Sequence, residues 1–451
     1  MRTIYDVVSP FDQLLKKQKV KPRQQYRPMY YVVEQPVEEG LLLYHTMTKA
    51  LLLLTPEEAM VYKAHPTDLP QLIELWFLVP ESHDDRLLSR QMRDVARMLE
   101  KKSSAITSYT ILTTTDCNAR CFYCYEMGRS HIPMSHETAL KTADYIINHC
   151  QGKKVSLHWF GGEPLYNKSV ITLICQRLKE SSVEFTSRMT SNGYLFDEDT
   201  IKEAKEKWCL NTVQITLDGT EKIYNRSKAY IYKGVNAYQR VIENIHRLQE
   251  AKIAIRIRLN IDMHNVDDLL QLTEVLHQEF INTKGITIYL HTLFEVSKGS
   301  KAIHDKQKRS YIFERMKEIY TRLSDFGFVE PAILRRSIKK FACEADNDQC
   351  VIIMPSGHIG KCEHYTDNHF IGHIDQETYD HEQIDQFKEL RTEIDACVTC
   401  PIYPTCMVLR LCISNQHCYE EFRKETINET RQCILNAYHH LKNKLHNETD
   451  C

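Results

Sequence analysis

Between residues 105 and about 328 the chain alternates, six times over, a short run rich in β-branched and aromatic residues with a longer amphipathic one. The short runs are SYTILTT, KVSLHWF, VEFTSRMT, TVQITL, IAIRIRLNI and ITIYLHTLF, a composition that suits strands. Between them lie segments such as HETALKTADYIINHC, SVITLICQRLKE and VDDLLQLTEVLHQEF. In VIENIHRLQ the apolar residues Val241, Ile242, Ile245 and Leu248 recur at the spacing of one helix face. Alternation of this kind leaves few folds, because consecutive parallel strands need a crossover and a helix supplies it. The expected class is α/β: a partial (β/α)6 barrel, similar to a TIM barrel with fewer units. Its functional groups belong on the βα loops, at the C-terminal ends of the strands.

The flanks differ. Residues 1–104 read as a small α+β domain. MYYVVEQ and GLLLYHT form a strand pair around a Pro-Val-Glu-Glu-Gly turn, and TPEEAMVYKAH starts a helix with Thr55 as N-cap. Residues 331–451 lose the alternation and become rich in cysteine. The expected domains are therefore 1–104, 105–330 and 331–451.

Hydrophobic residues make up 42% of the chain and charged residues 26%, with a net charge of −2, so nothing points to a bulk nucleic-acid or membrane binder. The longest apolar run, Ala50 to Leu54, is far too short to span a bilayer. The first residues contain no signal-peptide core, and the expected location is the cytoplasm.

The 16 cysteines are distributed unevenly. Three fall within CNARCFYC as Cys117, Cys121 and Cys124. Ten fall from Cys343 onward. Only Cys150, Cys175 and Cys209 lie elsewhere, in apolar or helical context, and read as buried thiols. A disulfide framework gives no reason to leave over 200 residues almost empty between two dense groups, so the pattern points to metal or redox chemistry. Three thiolates on one βα loop suit either an iron–sulfur cluster with one open iron or a zinc ion that borrows a distant fourth ligand.

The motifs after the next strands favour the first reading. Gly161-Gly162-Glu163-Pro164 follows the second strand; its glycines permit close backbone approach, and Glu163 can pair with an ammonium group. TSNG follows the third strand, with Ser191 and Asn192; TLDG follows the fourth, with Thr216 and Asp218. CxxxCxxC followed by GGEP resembles the radical S-adenosylmethionine (radical SAM) superfamily. The resemblance implies a [4Fe–4S] cluster on Cys117, Cys121 and Cys124, with SAM completing the open iron and breaking to a 5′-deoxyadenosyl radical. It implies Tyr123 near the adenine, Gly161, Gly162 and Glu163 at the methionine amino group, and Ser191, Asn192, Thr216 and Asp218 around the ribose and methionine. Lys228 replaces an arginine expected at the SAM carboxylate, with Arg226 as the alternative; Asn260, ending the fifth strand, is either a SAM or substrate contact or a core or turn residue.

The cysteine-rich region resembles the SPASM domain, which binds two auxiliary [4Fe–4S] clusters, making three in all. MPSGHIGKCEHY is similar to its hairpin, with Gly357 at the turn, and CVTCPIYPTC to its second-cluster loop. The resemblance implies Cys343, Cys350, Cys362 and Cys412 for one cluster, with Cys418 a rival to Cys412. It implies Cys397, Cys400, Cys406 and Cys433 for the other. Glu363 stands where sulfatase-maturing relatives have a proposed catalytic base. The N-terminal hairpin resembles a RiPP-recognition element, a winged helix that binds a leader peptide by strand addition.

The implied activity is that of a peptide maturase acting on a ribosomally made precursor with a leader and a cysteine-containing core, reduced by a flavodoxin or ferredoxin. A thioether crosslink is the leading expectation. A carbon–carbon crosslink and formylglycine formation, as in anaerobic sulfatase maturation, are the alternatives, and a non-catalytic iron–sulfur or zinc peptide binder is the rival of another class.

Overall fold

In the computed structural model the described residues are 2–5, 17–21, 23–100, 104–124, 126, 130–293, 306–329, 343–363, 369–376, 378–388, 393–406, 418 and 420–449. Cys412 lies outside them. The chain divides into two compact units, one of Met1–Ser103, Pro331–Cys343 and Glu389–Cys451, the other of Ser104–Glu330 and Glu344–Lys388.

The first unit begins with β1 (Arg2–Tyr5), β2 (Tyr26–Pro28), β3 (Val32–Val37), β4 (Gly40–His45) and β5 (Leu51–Leu54). Helices α1 (Pro56–Ala64) and α2 (Pro70–Glu74), strand β6 (Leu78–Pro80) and helix α3 (Asp85–Glu100) follow. The expected hairpin forms: β3 and β4 pair antiparallel from Val32 opposite His45 to Val37 opposite Gly40. They belong to a four-stranded sheet in the order β1-β5-β4-β3, and β2 pairs with β6. Thr55 caps α1 in a reciprocal box: its hydroxyl accepts from the Glu58 N–H at 3.2 Å and the Glu58 carboxylate accepts from the Thr55 N–H at 2.9 Å. Two orphan donors are thereby satisfied at once.

The second unit contains the six expected strands: β7 (Ser108–Leu112), β8 (Val155–Phe160), β9 (Phe185–Ser191), β10 (Leu210–Thr216), β11 (Ala254–Ile261) and β12 (Ile286–Thr292). All neighbours among them pair in parallel. The connecting helices are α4 (His136–His149), α5 (Lys168–Glu180), α6 (Glu198–Glu206), α7 (Glu221–Lys228), α8 (Ala237–Glu250) and α9 (Val266–Glu279), and α10 (Lys306–Asp325) follows β12.

Alternation decides the faces. Val213, Ile215, Ile255 and Ile257 are fully buried with Val241, Ile245 and Leu248 of α8, while Gln214, Thr216 and Arg258 turn to the lumen and are half-buried. Each fully buried aliphatic side chain contributes about 1.5–3 kcal/mol. The result is the partial barrel expected from the alternation.

The sheet does not stop at β7. Strand β13 (Cys350–Ile353) pairs in parallel with β7, setting Cys350 beside Ser108, and β14 (His358–Gly360) and β15 (Gly372–His373) continue antiparallel. Among the described residues the sheet has nine strands, in the order β12-β11-β10-β9-β8-β7-β13-β14-β15. Gly357 makes the β13–β14 turn at φ +86°, and a Cβ there would stand 2.8 Å from the His373 ring. Helix α11 (His381–Lys388) closes this unit.

The last helix, α12 (Glu420–Thr449), returns to the first unit. Its Ile434, Ala437 and Tyr438 pack on Val33, Leu42, Tyr44 and Leu51. The opposite sheet face, with Leu41, Leu43, Leu52 and Leu54, packs on Tyr62, Leu72, Ile73 and Phe77. Both faces of the N-terminal sheet are therefore covered, which explains why GLLLYH and LLLL read as continuous apolar runs.

Candidate functional site

The chain leaving β7 carries Cys117, Cys121 and Cys124 at the C-terminal edge of the barrel. The segment after β8 runs directly alongside it. The Gly162 N–H donates to Thr114 O at 3.0 Å and the Glu163 N–H to Asp116 O at 2.9 Å. A Cβ on Gly161 would stand 2.2 Å from Thr114 O, and one on Gly162 2.3 Å from Asp116 O. The glycines are thus required by the crossing of two backbones, and that crossing sets Glu163 behind the cysteine loop.

Glu163 has no exposed surface. Its Oε1 accepts from the Ser191 hydroxyl at 2.8 Å and the Leu165 N–H at 3.2 Å, and its Oε2 from the Asn192 N–H at 2.8 Å. Burial outweighs these bonds and pushes its carboxyl up to about 7. No cation pairs with it among the described residues, so it is a dry acceptor suited to a ligand ammonium.

Asn192 links this carboxylate to the cysteines. Its Nδ2 donates to Asn118 Oδ1 at 2.6 Å and lies 3.7 Å from Cys117 Sγ. Asn118, between Cys117 and Ala119, is fully buried, and its own Nδ2 has no partner. Sequence reading passed over Asn118; an asparagine directly after the first cysteine was the available signal.

On the other side of the loop, Tyr123 O–H donates to Asp218 Oδ2. Lys228 Nζ donates to Tyr123 Oη at 2.7 Å and pairs with Asp218 Oδ2 at 2.9 Å. Asp218 Oδ1 is buried without a partner. Arg226 is exposed. Thr216 ends β10 on the lumen face opposite Arg258, and Asn260, nearly buried, accepts from Arg258 Nε at 2.9 Å.

Among the described residues no three Cys, His, Asp or Glu side chains stand in single-ion geometry. The fit to a polynuclear cluster rests on the donor set. Three free thiols share one loop; burial pushes Cys117 up to about 12 and raises Cys124, each further raised by the neighbouring cysteines. A bound metal would hold them as thiolates. Beside them are the unpaired buried carboxylate of Glu163, the orphaned Asp218 Oδ1 and the orphaned Asn118 Nδ2, a polar lining complementary to an amino-acid–ribose ligand. The residues present fit a [4Fe–4S] cluster with SAM.

Residues 111–295 match the profile of the Radical SAM superfamily. That segment is a radical SAM domain. That domain implies a [4Fe–4S] cluster and SAM as its cofactors. Over 218 residues the chain is 25% identical to Fe-coproporphyrin III synthase of Methanosarcina barkeri, covering 46% of this chain and 51% of that protein. Over 198 residues it is 30% identical to GTP 3',8-cyclase of Clostridium perfringens, covering 42% and 58%. The chain thus spans about half the length of these curated relatives. A solved structure of anSMEcpe with bound AdoMet shares the fold, with a TM-score of 0.55 at 15% identity, over 75% of this chain and 98% of that one. Another contains AdoMet and the Cp18Cys peptide, with a TM-score of 0.54.

Beyond the radical SAM domain, Cys350 begins β13 and Cys362 follows β14. The register that pairs Ile352 with Gly360 continues to Cys350 opposite Cys362. Lys361 donates to Cys350 O at 2.7 Å and Asn347 O at 2.6 Å, fixing this end of the hairpin. Glu363 comes next, level with Cys350 and the N-terminal end of β7, whereas the cysteine triad leaves the C-terminal end of β7. The strand order thus sets Glu363 at the opposite end of the sheet from Glu163. Cys343 belongs to the other unit and is exposed.

In that unit Cys397 and Cys400 are buried with Met29, Tyr31, Met47, Met92 and Tyr403, and Cys406 packs against them. Tyr403 stacks on Tyr31 with centroids 5.9 Å apart, Thr46 Oγ1 donates to Pro401 O at 2.6 Å, and Arg86 and Arg90 of α3 bind Glu393. Cys418 stands close enough to Cys397 and Cys400 to raise both, after the larger effect of burial. Arg423, whose charge is felt at Cys397, reaches to 3.9 Å from Cys418 Sγ. Cys433 lies instead against the apolar face of the N-terminal sheet. The SPASM resemblance implies Cys433 for this cluster and sets Cys418 only against Cys412; the charge of Cys418 is the one felt at both Cys397 and Cys400.

Among the described residues no helix is long and apolar enough to cross a membrane.

Proposed function

We propose that the chain is a radical SAM peptide maturase that installs a crosslink, a thioether first among the candidates, in a ribosomally made precursor peptide. The observation that carries this reading lies outside the radical SAM domain. A cysteine-bearing hairpin extends the barrel sheet, and a second cysteine loop is packed into the N-terminal unit. A fold of this extent matches almost the whole of anSMEcpe, a protein also solved with bound AdoMet and the Cp18Cys peptide. The cyclase and synthase relatives match over less than half of this chain.

In this reading Cys117, Cys121 and Cys124 hold the SAM-binding cluster. Glu163 receives the methionine ammonium, steadied by Ser191 and the Asn192 N–H. Asp218 Oδ1 and Thr216 face the ribose, and the half-buried polar lumen takes the peptide. When bound, cluster and SAM together supply a 5′-deoxyadenosyl radical for hydrogen abstraction. Two auxiliary clusters are assigned to the remaining cysteines, on the SPASM resemblance. One uses Cys343, Cys350 and Cys362 with Cys412. The other uses Cys397, Cys400 and Cys406, and for the fourth ligand we take Cys418, whose charge is felt at Cys397 and Cys400, in place of Cys433. Glu363 would act as a base only if the peptide reaches the far end of the lumen. The N-terminal unit is assigned the leader, and a flavodoxin or ferredoxin the supply of electrons.

Anaerobic reconstitution tests the reading. Three clusters correspond to about 12 irons per chain, with deoxyadenosine released under reducing conditions. The triple variant C117A/C121A/C124A is expected to lose SAM cleavage while the auxiliary iron stays; deoxyadenosine from that variant would refute the cluster assignment. With a precursor peptide, a product short of two hydrogens and one free thiol marks a thioether. Loss of two hydrogens with every thiol retained marks a carbon–carbon bond, and an aldehyde marks formylglycine.

A further inference from the structure

We infer that Lys228 is a positioning residue, a strut that holds the cysteine loop in shape through Tyr123 and Asp218, and not a ligand of the SAM carboxylate. An ammonium has three N–H donors. Two of those on Lys228 are committed, to Asp218 at 2.9 Å and to Tyr123 at 2.7 Å. The Lys228 and Asp218 side chains are only 4% and 2% exposed. Tyr123 lies between Cys121 and Cys124, so fixing its phenol fixes the chain that spaces those two thiols.

The backbone repeats the attachment. The Arg120 N–H donates to Lys228 O at 2.8 Å, and the Ile231 N–H to Asn118 O at 2.9 Å. Both contacts depend on Ala229, which ends α7 in the left-handed region at φ +45° and turns the chain back along the loop. The cysteine loop is therefore tied at Asn118, Arg120 and Tyr123 to a single turn of backbone and one buried side chain. The third N–H has aromatic neighbours, with the Tyr123 and Tyr224 ring centroids 5.4 Å and 5.8 Å from Nζ, and turning the ammonium toward a bound carboxylate would leave Asp218, already without a partner at Oδ1, buried with fewer donors, which is costly. Lysine suits this place as a point charge meeting two oxygens, a task with no need of a bidentate fork.

The test uses metal-free full-length protein first, so that its outcome does not depend on the cluster reading. Amide hydrogen exchange is followed across 117–124 in the parent, K228M, K228R, Y123F and K222M, the last an exposed lysine on the same helix. K228M is expected to raise exchange in 117–124 at least tenfold while β9 to β11 keep parental rates. K228R restores most of the protection, Y123F falls between, and K222M changes nothing. After anaerobic reconstitution K228M takes up iron several-fold more slowly. Unchanged exchange in K228M, with only weaker SAM binding, overturns the strut and makes Lys228 a SAM ligand. If K228M unfolds globally, Y123F decides: parental exchange in its loop overturns the proposal. Failure of the parent to bind iron at all would count against the cluster reading and leave the exchange result standing.

Discussion

Glu163 is buried, anionic at high pH and without a cation, and this must make the ligand-free protein sensitive to pH. Its carboxyl titrates at about 7 in the fold against an ordinary 4.5. A raised acid stabilises the fold fully below its unfolded pKa and loses that stabilisation as pH rises through the folded one. Integrating the two titrations from pH 5.5 to 8 gives a loss of about 2 kcal/mol from this one group. E163Q removes the titration and keeps the shape. Its amide must turn one N–H2 toward the Ser191, Leu165 and Asn192 donors, which costs a further ~1–3 kcal/mol at every pH. The absolute stability of the variant is therefore not the informative quantity; its slope is. Urea unfolding of metal-free parent and E163Q at pH 5.5 and 8 should show the gap between them moving by about 2 kcal/mol in favour of the variant at the higher pH. The other titrating groups cancel in that difference. A gap that stays constant would refute the buried, unpaired carboxylate. The same carboxyl predicts that an ammonium ligand binds about tenfold more weakly per pH unit below 7, since the proton must leave first.

The remaining expectations are local. In reconstituted protein C418S should lose about four irons per chain while C433S keeps the parental iron content, as measured by colorimetric iron and Mössbauer intensity. G162A forces apart the 114–116 and 161–163 backbones, which approach within 2.3 Å of its Cβ. It should cost about 1–3 kcal/mol in denaturant melts and lower SAM cleavage with the cysteines intact. I434A removes a fully buried side chain from the sheet-covering face of α12. It should cost about 2–5 kcal/mol and raise hydrogen exchange in β3 and β4.

What the sequence revealed was whatever is written within a short window. The six barrel strands are local patterns and lie within a residue or two of the runs that announced them, as do α4, α5, α8 and α9; the short polar α7, which carries Lys228, was not announced. The seventh parallel strand is not local. CVII is a short apolar run like many others, and its partner SYTIL lies over 200 residues earlier, so only packing sets that register. The hairpin at GLLLYH was legible, but not that both its faces are buried, because the covering helix α12 comes hundreds of residues later. In the site, CxxxCxxC and GGEP announce themselves as compact motifs. The commitment of Lys228 does not, since it depends on the left-handed turn at Ala229.

The covering of the N-terminal sheet by α12 has a consequence for the order of events on the ribosome. Leu42, Tyr44 and Leu51 are made early, but Ile434, Ala437 and Tyr438, which hide them, come roughly 380 residues later. At usual rates of synthesis that is a delay on the order of tens of seconds. The barrel can close in that interval from segments already present, whereas the first-made sheet must wait with one greasy side uncovered. That side is where a chaperone would hold the nascent chain, and the second cysteine loop, which packs on the same unit, is likewise made only after the barrel.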